Sequence, residues 1–172
     1  PLPGKLAFSR DLFVLLFLLR GMPFVDLAFL RRCDLQGNVI TYHRRKTSRK
    51  LTVVVGKEAM EIIQKYMYAI PDSPYLFPII QNPGKDEYGQ YARMLRLQNY
   101  RLTQVANILG IRDRLSTYTA RHTWATTALR QNYNSSLICD AMGHSSVKVT
   151  ETYFQPYRDD EVNRMNSSLI TY

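Results

Sequence analysis

The chain has 172 residues, of which 45% are hydrophobic, and its 23 Lys+Arg against 14 Asp+Glu give a formal net charge of +9. This length and apolar fraction favour one folded domain, and they exclude both a disordered chain and two domains of ordinary size. A basic excess of this size favours a polyanionic partner, although composition alone does not separate a nucleic-acid-binding domain from a generic basic one.

The first third of the sequence predicts two helices and a β-hairpin. Ser9 suits an N-cap and Gly21 a C-terminal stop for the first helix, and Pro23 suits the first turn of the second. Two runs rich in β-branched residues flank a polar stretch, 46–50, which predicts a hairpin with a basic tip. The predicted bounds are about 10–20 and 23–32 for the helices and 39–45 and 51–55 for the strands.

The rest of the sequence predicts mostly helices. Its first helix has apolar residues at helical spacing, and a loop rich in turn residues, 71–83, follows it. Helices are predicted at about 57–69, at 87–109 as one long helix or a broken pair, at 117–130 after Ser116 or Thr117, at 135–143 after Asn134 or Ser135, from Ser145 or Ser146 to about 153, and at 159–169. The predicted fold class is therefore α+β, mainly α, with a small antiparallel β-sheet.

The cysteines and the longest apolar run limit the compartment and the cofactors. Cys33 and Cys139 are too far apart in sequence for a zinc framework, and we expect both thiols to be buried and reduced in a cytoplasm. The eight apolar residues at 12–19 are too few to span a bilayer and predict a buried helix. We expect no membrane association and no metal or other cofactor.

The candidate catalytic residues lie mainly between 117 and 153. Tyr118 and Arg121 share the apolar stripe of one predicted helix, where a guanidinium requires either an internal carboxylate or a bound anion. His144 follows Gly143 just past a helix end, and Tyr153 comes nine residues later. Cations, imidazoles and one tyrosine in this order suit nucleophilic attack by a tyrosine oxygen on a phosphodiester.

These motifs resemble the catalytic domain of the tyrosine recombinase (phage integrase) family. The family's H-x-x-R box reads Tyr118-Thr119-Ala120-Arg121 here, its L-G-H box reads Met142-Gly143-His144, and its tyrosine is Tyr153. The resemblance extends upstream to about Arg20 and so covers most of the chain. It implies that residues 1–172 form the helical catalytic domain and that the usual N-terminal DNA-clamping domain is absent from this sequence.

The resemblance also implies a role for each matching residue. Tyr153 is the nucleophile, and Arg121 and His144 hold the non-bridging oxygens of the phosphate. Lys46, at the hairpin tip, protonates the departing 5′ oxygen, with Lys50 or Arg45 as alternatives. The residues expected to grip the DNA backbone are Arg44, Arg45, Arg49, Lys50, Arg93, Arg96 and Arg101.

Two positions depart from the family pattern. The first arginine of the family usually lies in a T-G-L-R turn, which reads Arg20-Gly21-Met22-Pro23 here, so that proline takes its place. Arg20 is the nearest candidate to replace it. Tyr118 stands where histidine is usual, and a phenol keeps a hydrogen-bond donor but supplies no cation. The segment resembles an integrase and invertase branch found in mobile elements.

The implied activity is site-specific cleavage and rejoining of double-stranded DNA through a 3′-phosphotyrosyl intermediate. The family implies a homo-tetramer on two DNA sites in a bacterial cytoplasm, with C-terminal segments of about Tyr157–Tyr172 exchanged between neighbours. Three alternatives remain open at this point: a relaxing topoisomerase, a metal-dependent nuclease, and a non-catalytic basic DNA-binding module. The scattered acids disfavour the nuclease, and proline in place of the first arginine keeps the binding module in consideration.

Overall fold

A computed structural model of the chain describes residues 2–153 and 159–170. Within those ranges it has eight α-helices and one three-stranded antiparallel sheet, which confirms the predicted fold class. The elements are α1 Gly4–Leu18, α2 Phe24–Ala28, β1 Leu35–Gln36, β2 Val39–His43, β3 Lys50–Val54, α3 Lys57–Tyr66, α4 Glu87–Ile108, α5 Thr117–Arg130, α6 Ser135–Met142, α7 Val147–Glu151 and α8 Asp159–Ile170.

The first helix begins earlier than predicted, and Ser9 is not its N-cap. Helix α1 starts at Gly4, and Ser9 lies buried inside it, where its carbonyl accepts a hydrogen bond of 2.8 Å from the Gln98 side chain on α4. The helix ends at Leu18 because Arg20 and Gly21 both adopt left-handed backbone angles, with φ of 60° and 66°. The chain reverses at this turn, which brings Gly21 to the edge of the candidate site.

The segment after this turn was predicted as one helix to about Arg32, and that prediction is wrong. Helix α2 follows Pro23 but ends at Ala28, and a single 3₁₀ turn covers Arg32–Asp34. Strand β1 was missed because its two residues are too few to form a pattern. It pairs with β2, so β2 is the central strand of a three-stranded sheet and β3 is one of its two edge strands.

The hairpin prediction is confirmed, and its register decides which side chains face the core. Strands β2 and β3 are antiparallel, with Tyr42 opposite Leu51 and His43 opposite Lys50. Ile40 and Tyr42 are buried while His43 is exposed, as strand alternation requires. Arg44 continues the inward-facing side, and it is buried although it is charged.

Helix α1 lies at the centre of the main core, in contact with α3, α4 and α5. A second, smaller cluster joins α5, α6 and the residues after α7, and it consists of Ala125, Ile138, Met142 and Tyr153. Cys139 is buried as expected, whereas Cys33 is exposed, so that expectation is wrong for Cys33. No helix among the described residues is both long and apolar enough to cross a membrane.

The remaining helices agree with prediction to within a few residues. Helix α4 is one continuous helix of 22 residues rather than a broken pair. The side chains of Ser116 and Asn134 cap α5 and α6, and Gly143 ends α6 in the left-handed conformation, with φ of 64°. Those caps fix where α5 starts and where α6 stops, and the candidate site lies between these two helix ends.

Candidate active site

Helix α5 places three candidate residues within its first two turns. Ser116 and Thr119 form a capping box, in which each side-chain oxygen accepts the backbone N–H of the other residue. This arrangement fixes the beginning of the helix. Tyr118 and Arg121 then lie three residues apart on neighbouring positions of one face, with His122 beside them.

Arg121 is 4% exposed, and its guanidinium is held by neutral acceptors. Nη1 donates to the carbonyl of Gly21, and Nη2 donates to the carbonyl of Met142 at 2.9 Å and to Nε2 of His144 at 2.6 Å. No carboxylate among the described residues forms an ion pair with it. The alternative of a structural salt bridge is therefore not realised there, and the positive charge of Arg121 remains available to an anion.

Two glycines allow the backbone to approach the arginines closely. A Cβ atom on Gly21 would lie 3.1 Å from Cα of Arg121. A Cβ atom on Gly143 would lie 2.8 Å from Cδ1 of Leu51 and 3.1 Å from Cδ of Arg44. Both glycines also have positive φ, so steric contact and backbone conformation favour glycine at these two positions.

His144 is buried at 3% exposure, and both of its ring nitrogens are hydrogen-bonded. Nε2 accepts from Arg121, so the ring proton lies on Nδ1 and is donated to Oγ1 of Thr150 at 2.7 Å. Burial, together with the charges of Arg121, Arg44 and Lys46, lowers the pKa of His144 to about 4. The imidazole is therefore neutral at physiological pH.

Tyr153 is 6% exposed and lies among three aromatic side chains. Its ring stacks on His144 with centroids 5.5 Å apart and an interplanar angle of 11°. Tyr118 and His122 each place a ring 5.7 Å from the Tyr153 ring. His122 therefore contacts the tyrosine ring, and the orientation of Tyr153 is fixed from three sides.

Tyr118 is the most exposed member of this aromatic group, at 58%. Burial, followed by a side-chain hydrogen bond to Tyr153, raises its pKa to about 12. Tyr118 therefore stays protonated at neutral pH. Its phenol can donate to the Tyr153 oxygen, and this keeps the donor function of the histidine that is usual at this position without the charge.

Arg44 lies buried inside the site and not on the DNA-gripping surface where the resemblance predicts it. It is 7% exposed, and its Nη1 donates to the carbonyl of Gly143 at 2.7 Å. Its Nε lies 3.7 Å from Oδ2 of Asp26, whose side chain is 1% exposed. Burial raises the pKa of Asp26, against the hydrogen bond from the Arg45 N–H and the charges of Arg44 and Arg121.

The rest of the hairpin tip lies beside the His144 turn. Lys46 is exposed, and it is close enough to contribute to the lowered pKa of His144. Arg49 donates to the carbonyl of His144 at 3.2 Å and to Asp140 at 2.8 Å. Lys50 is exposed at the start of β3, and the Arg45 guanidinium lies 3.9 Å from the centroid of the Phe29 ring, on the side of α2.

The other predicted residues do not join this cluster within the described ranges. Arg93 and Arg96 are exposed on α4 and Arg101 is half-buried there, with Arg93 3.9 Å from Asp86. Arg20 donates to the carbonyl of Thr52 at 3.2 Å and lines a cavity of about 650 Å³ between α1, α5 and α6. Its guanidinium contacts neither Arg121 nor Tyr153.

Three contributors were missed in the sequence, and one of them had a readable signal. Arg44 follows Ile40 and Tyr42 at two-residue spacing, so strand alternation indicated an inward position. Thr150 and Asp26 had no comparable signal, because their contacts join segments that are distant in sequence. Among the described residues, no three His, Cys, Asp or Glu side chains lie close enough together to hold a metal ion.

Comparison of the sequence with known proteins identifies related chains. The model of the phage integrase family matches residues 5–159. Tyrosine recombinase XerC of Thermodesulfovibrio yellowstonii is 26% identical over 167 residues, which cover 89% of this chain and 52% of that protein. A tyrosine recombinase of Pseudothermotoga lettingae is 32% identical over 60 residues, covering 35% of this chain and 21% of that protein. The chain thus spans about half the length of the XerC relative. Its match to the second relative covers a smaller share of that protein.

Solved structures show the same fold. A crystal structure of XerA recombinase superposes with a TM-score of 0.64 at 20% identity, covering 99% of this chain and 65% of that one. The Tn1549 transposon integrase in complex with transposon right-end DNA gives 0.68 at 15% identity, covering 99% and 66%. The helical arrangement and the small sheet are thus shared with these proteins over almost the whole of this chain.

Proposed function

The chain belongs to the phage integrase family, and from that premise we propose that it cleaves and rejoins double-stranded DNA through a covalent bond between Tyr153 and a 3′ phosphate. The arrangement around Tyr153 is the observation that carries the proposal. Its ring is surrounded by the rings of Tyr118, His122 and His144. Arg121 donates a hydrogen bond to His144. A tyrosine held this rigidly suits attack on a phosphodiester when the arginine beside it has no carboxylate partner among the described residues.

The proposed cleavage step exchanges one phosphate ester for another. The Tyr153 oxygen, after release of its proton to water, forms a bond to phosphorus, and the bond from phosphorus to the 5′ oxygen breaks. Lys46 gives a proton to the departing 5′ oxygen. Attack by a 5′ hydroxyl on the phosphotyrosine then reverses the step, so the reaction needs no external energy source.

His144 must change its tautomer before it can donate to the phosphate. In the structure Nε2 accepts from Arg121 and the proton is on Nδ1. Donation from Nε2 requires that the Thr150 hydroxyl reverses and donates to Nδ1 instead. A hydroxyl can do this because it is both donor and acceptor. We therefore assign to Thr150 the role of holding His144 in either state.

The basic residues outside the site are proposed to hold the DNA backbone. Arg45, Arg49 and Lys50 flank Lys46 on the hairpin, and Arg93, Arg96 and Arg101 extend along α4. Contacts of this type neutralise phosphates without reading sequence. Arg20, whose guanidinium donates to the Thr52 carbonyl, is proposed only as the alternative source of a cation for the reacting phosphate.

A homo-tetramer on two DNA sites, with C-terminal segments exchanged between neighbours, is also proposed. Of the predicted exchange segment, only 159–170 lies among the described residues. Helix α8 has no buried residue, and its exposed apolar side chains have helical spacing: Val162, Met165, Leu169 and Ile170. An apolar stripe of this kind favours packing against a neighbouring subunit.

Covalent trapping on DNA tests the proposed activity. The chain is incubated with a library of random-sequence duplexes that carry a central nick, so that a short cleaved strand diffuses away and the protein–DNA adduct accumulates. We expect an adduct that survives denaturing electrophoresis, persists in EDTA and disappears in Tyr153→Phe. An adduct of undiminished yield in Tyr153→Phe would contradict the assignment.

The same experiment separates the proposal from its rivals. A metal-dependent nuclease would lose cleavage in EDTA and leave no adduct. A non-catalytic binding module would shift the DNA on a native gel without any adduct. Relaxation of supercoiled plasmid in the absence of strand exchange between two recovered target sites would indicate a topoisomerase.

A further inference from the structure

We propose that Arg44 is a second guanidinium of this active site that binds the reacting phosphate together with Arg121. The inference rests on the proposed function, and it names the source of the cation that Pro23 does not supply.

The two guanidiniums are held side by side by consecutive carbonyls. Nη2 of Arg121 donates to the carbonyl of Met142 at 2.9 Å, and Nη1 of Arg44 donates to the carbonyl of Gly143 at 2.7 Å. Thr47 adds a third contact at 3.2 Å to that second carbonyl. The end of α6 therefore holds both cations at neighbouring carbonyls, and Arg121 also contacts His144, on which Tyr153 stacks.

The charges around these arginines leave the site short of one anion. Among the residues that the structure describes, two buried guanidiniums face one buried carboxylate, Asp26, and His144 is neutral. The pKa of Arg44 is lowered by its burial and by the charge of Arg121, which shows that the two cations repel each other. Among the described residues, Asp26 is the single carboxylate paired with either of them. A phosphate bound between them would relieve this repulsion.

Arg121 alone cannot present two parallel donors to a phosphate in this arrangement. Its Nη2 donates one hydrogen to the Met142 carbonyl and the other to His144. A bidentate contact through Nη2 and Nη1, or through Nη2 and Nε, therefore has no free Nη2 hydrogen. Nη2 of Arg44 donates to no described residue, and its Nε is buried without an acceptor. Arg44 therefore supplies the donors that Arg121 lacks.

Asp26 fits the role of a positioning residue for Arg44. Its Oδ1 accepts the backbone N–H of Arg45 at 2.9 Å, which ties α2 to the hairpin. Its Oδ2 lies 3.7 Å from Nε of Arg44, beyond hydrogen-bond distance, and has no other partner among the described residues. The carboxylate thus limits the movement of Arg44 without neutralising it through a close contact.

A neutral substrate tests whether Arg44 acts on phosphate charge. A target duplex recovered from the nicked library is made in two forms, one with the ordinary phosphate at the cleaved position and one with a methylphosphonate, which lacks the charged oxygen. Adduct formation by wild type, Arg44→Met, Arg44→Lys and Arg20→Ala is timed on both. Melting curves and DNA affinity are measured for each variant.

We expect Arg44→Met to slow adduct formation by about 100-fold or more on phosphate and by less than about 10-fold on methylphosphonate, because the neutral substrate has no charge for Arg44 to stabilise. Arg44→Lys, which keeps a charge but loses the planar fork, is expected to lie between Arg44→Met and wild type on phosphate. Arg20→Ala is expected to change both rates by the same factor.

Equal slowing of Arg44→Met on the two substrates would overturn the inference and leave Arg44 as a structural residue. Should Arg44→Met fail to fold, the same test is applied to Arg44→Lys. Its slowing on the phosphate duplex is then compared with its slowing on the methylphosphonate duplex. A phosphate-specific loss in Arg20→Ala instead of Arg44→Lys would transfer the role to Arg20. If wild type forms no adduct at all, the proposed function itself fails, so the two failures are distinguishable.

Discussion

Replacing Thr150 by valine tests the hydrogen-bond chain that runs from Arg121 through His144. Thr150 is fully buried, and its hydroxyl accepts from Nδ1 of His144 at 2.7 Å. Valine has nearly the same shape and lacks only the hydroxyl. The Thr150→Val variant therefore changes one acceptor while leaving the packing of α7 almost unaltered.

The cost of this substitution follows from the few states open to the imidazole. If the proton stays on Nδ1, a buried N–H loses its acceptor, which costs about 1–3 kcal/mol. If the proton moves to Nε2, it opposes the Arg121 donor that now lies 2.6 Å away, and a hydrogen bond to a charged group of about 1.5–3 kcal/mol is lost. Protonating both nitrogens is disfavoured by the neighbouring cations that lower the pKa of His144.

We therefore expect Thr150→Val to reduce the free energy of unfolding by about 1–3 kcal/mol in urea titrations. We also expect a slower rate of adduct formation on the nicked duplex, with DNA affinity little changed. Thr150→Ser, which keeps the hydroxyl, is the matched control and should recover most of both losses. Imidazole ¹⁵N spectra give the tautomer directly, because the chain has 3 histidines and His144→Gln assigns the relevant signals.

Two results would refute this reasoning. One is a Thr150→Val protein that is as stable as wild type while His144 retains its Nδ1 proton, because an orphaned buried donor would then be without cost. The other is a Thr150→Ser protein that loses as much activity as Thr150→Val, which would assign the effect to the lost methyl group rather than to the hydroxyl.

Three further predictions concern acidity, backbone strain and salt. The folded-state pKa of His144, about 4, lies below its ordinary value of 6.5, so the stability from keeping it neutral is complete above pH 6.5 and is lost as the pH falls to about 4. We expect a loss of at most about 3 kcal/mol over that range in the difference between wild type and His144→Gln, and parallel curves for the two proteins would contradict it. Gly143→Ala should destabilise more than Gly37→Ala in thermal melts, because both positions have positive φ but only the first places a Cβ atom 2.8 Å from another side chain. Equal shifts would assign the effect to backbone strain alone. DNA affinity should fall about 100-fold between about 50 and 200 mM salt if four hairpin cations contact phosphates, whereas a flat titration would exclude a backbone-dominated contact.

The elements with strong local signals were predictable from the sequence. The hairpin follows from β-branched runs around a polar turn, and the caps at Ser116 and Asn134 fixed the starts of α5 and α6. The start of α1 was not predictable from its local sequence. Ser9 is a good capping residue in isolation, but burial of the helix against Gln98 on α4 favours its inclusion in the helix.

The candidate site was predictable where it depends on spacing and not where it depends on tertiary contact. Arg121, His144 and Tyr153 were identified because they match the ordered motifs of the family that the sequence resembles, and the structure brings the three together. The hydroxyl of Thr150 was not identified, because whether a threonine contacts an imidazole depends on how α7 packs. The local turn at Arg20 was expected to deliver a cation to the site, but its left-handed conformation directs the guanidinium toward Thr52.

The position of Arg44 illustrates how a strand register decides which side chains enter the candidate site. Side chains alternate along β2, so Arg44 shares the inward side with Tyr42, and Arg45 faces outward toward Phe29. A slip of one residue would exchange the two arginines and place Arg45 beside the Gly143 carbonyl. The pairing of His43 with Lys50 and the bond from the Arg45 N–H to Asp26 both oppose such a slip. In the proposed site of this chain, where proline stands at the usual position of the first arginine, the register of the hairpin places Arg44 beside Arg121.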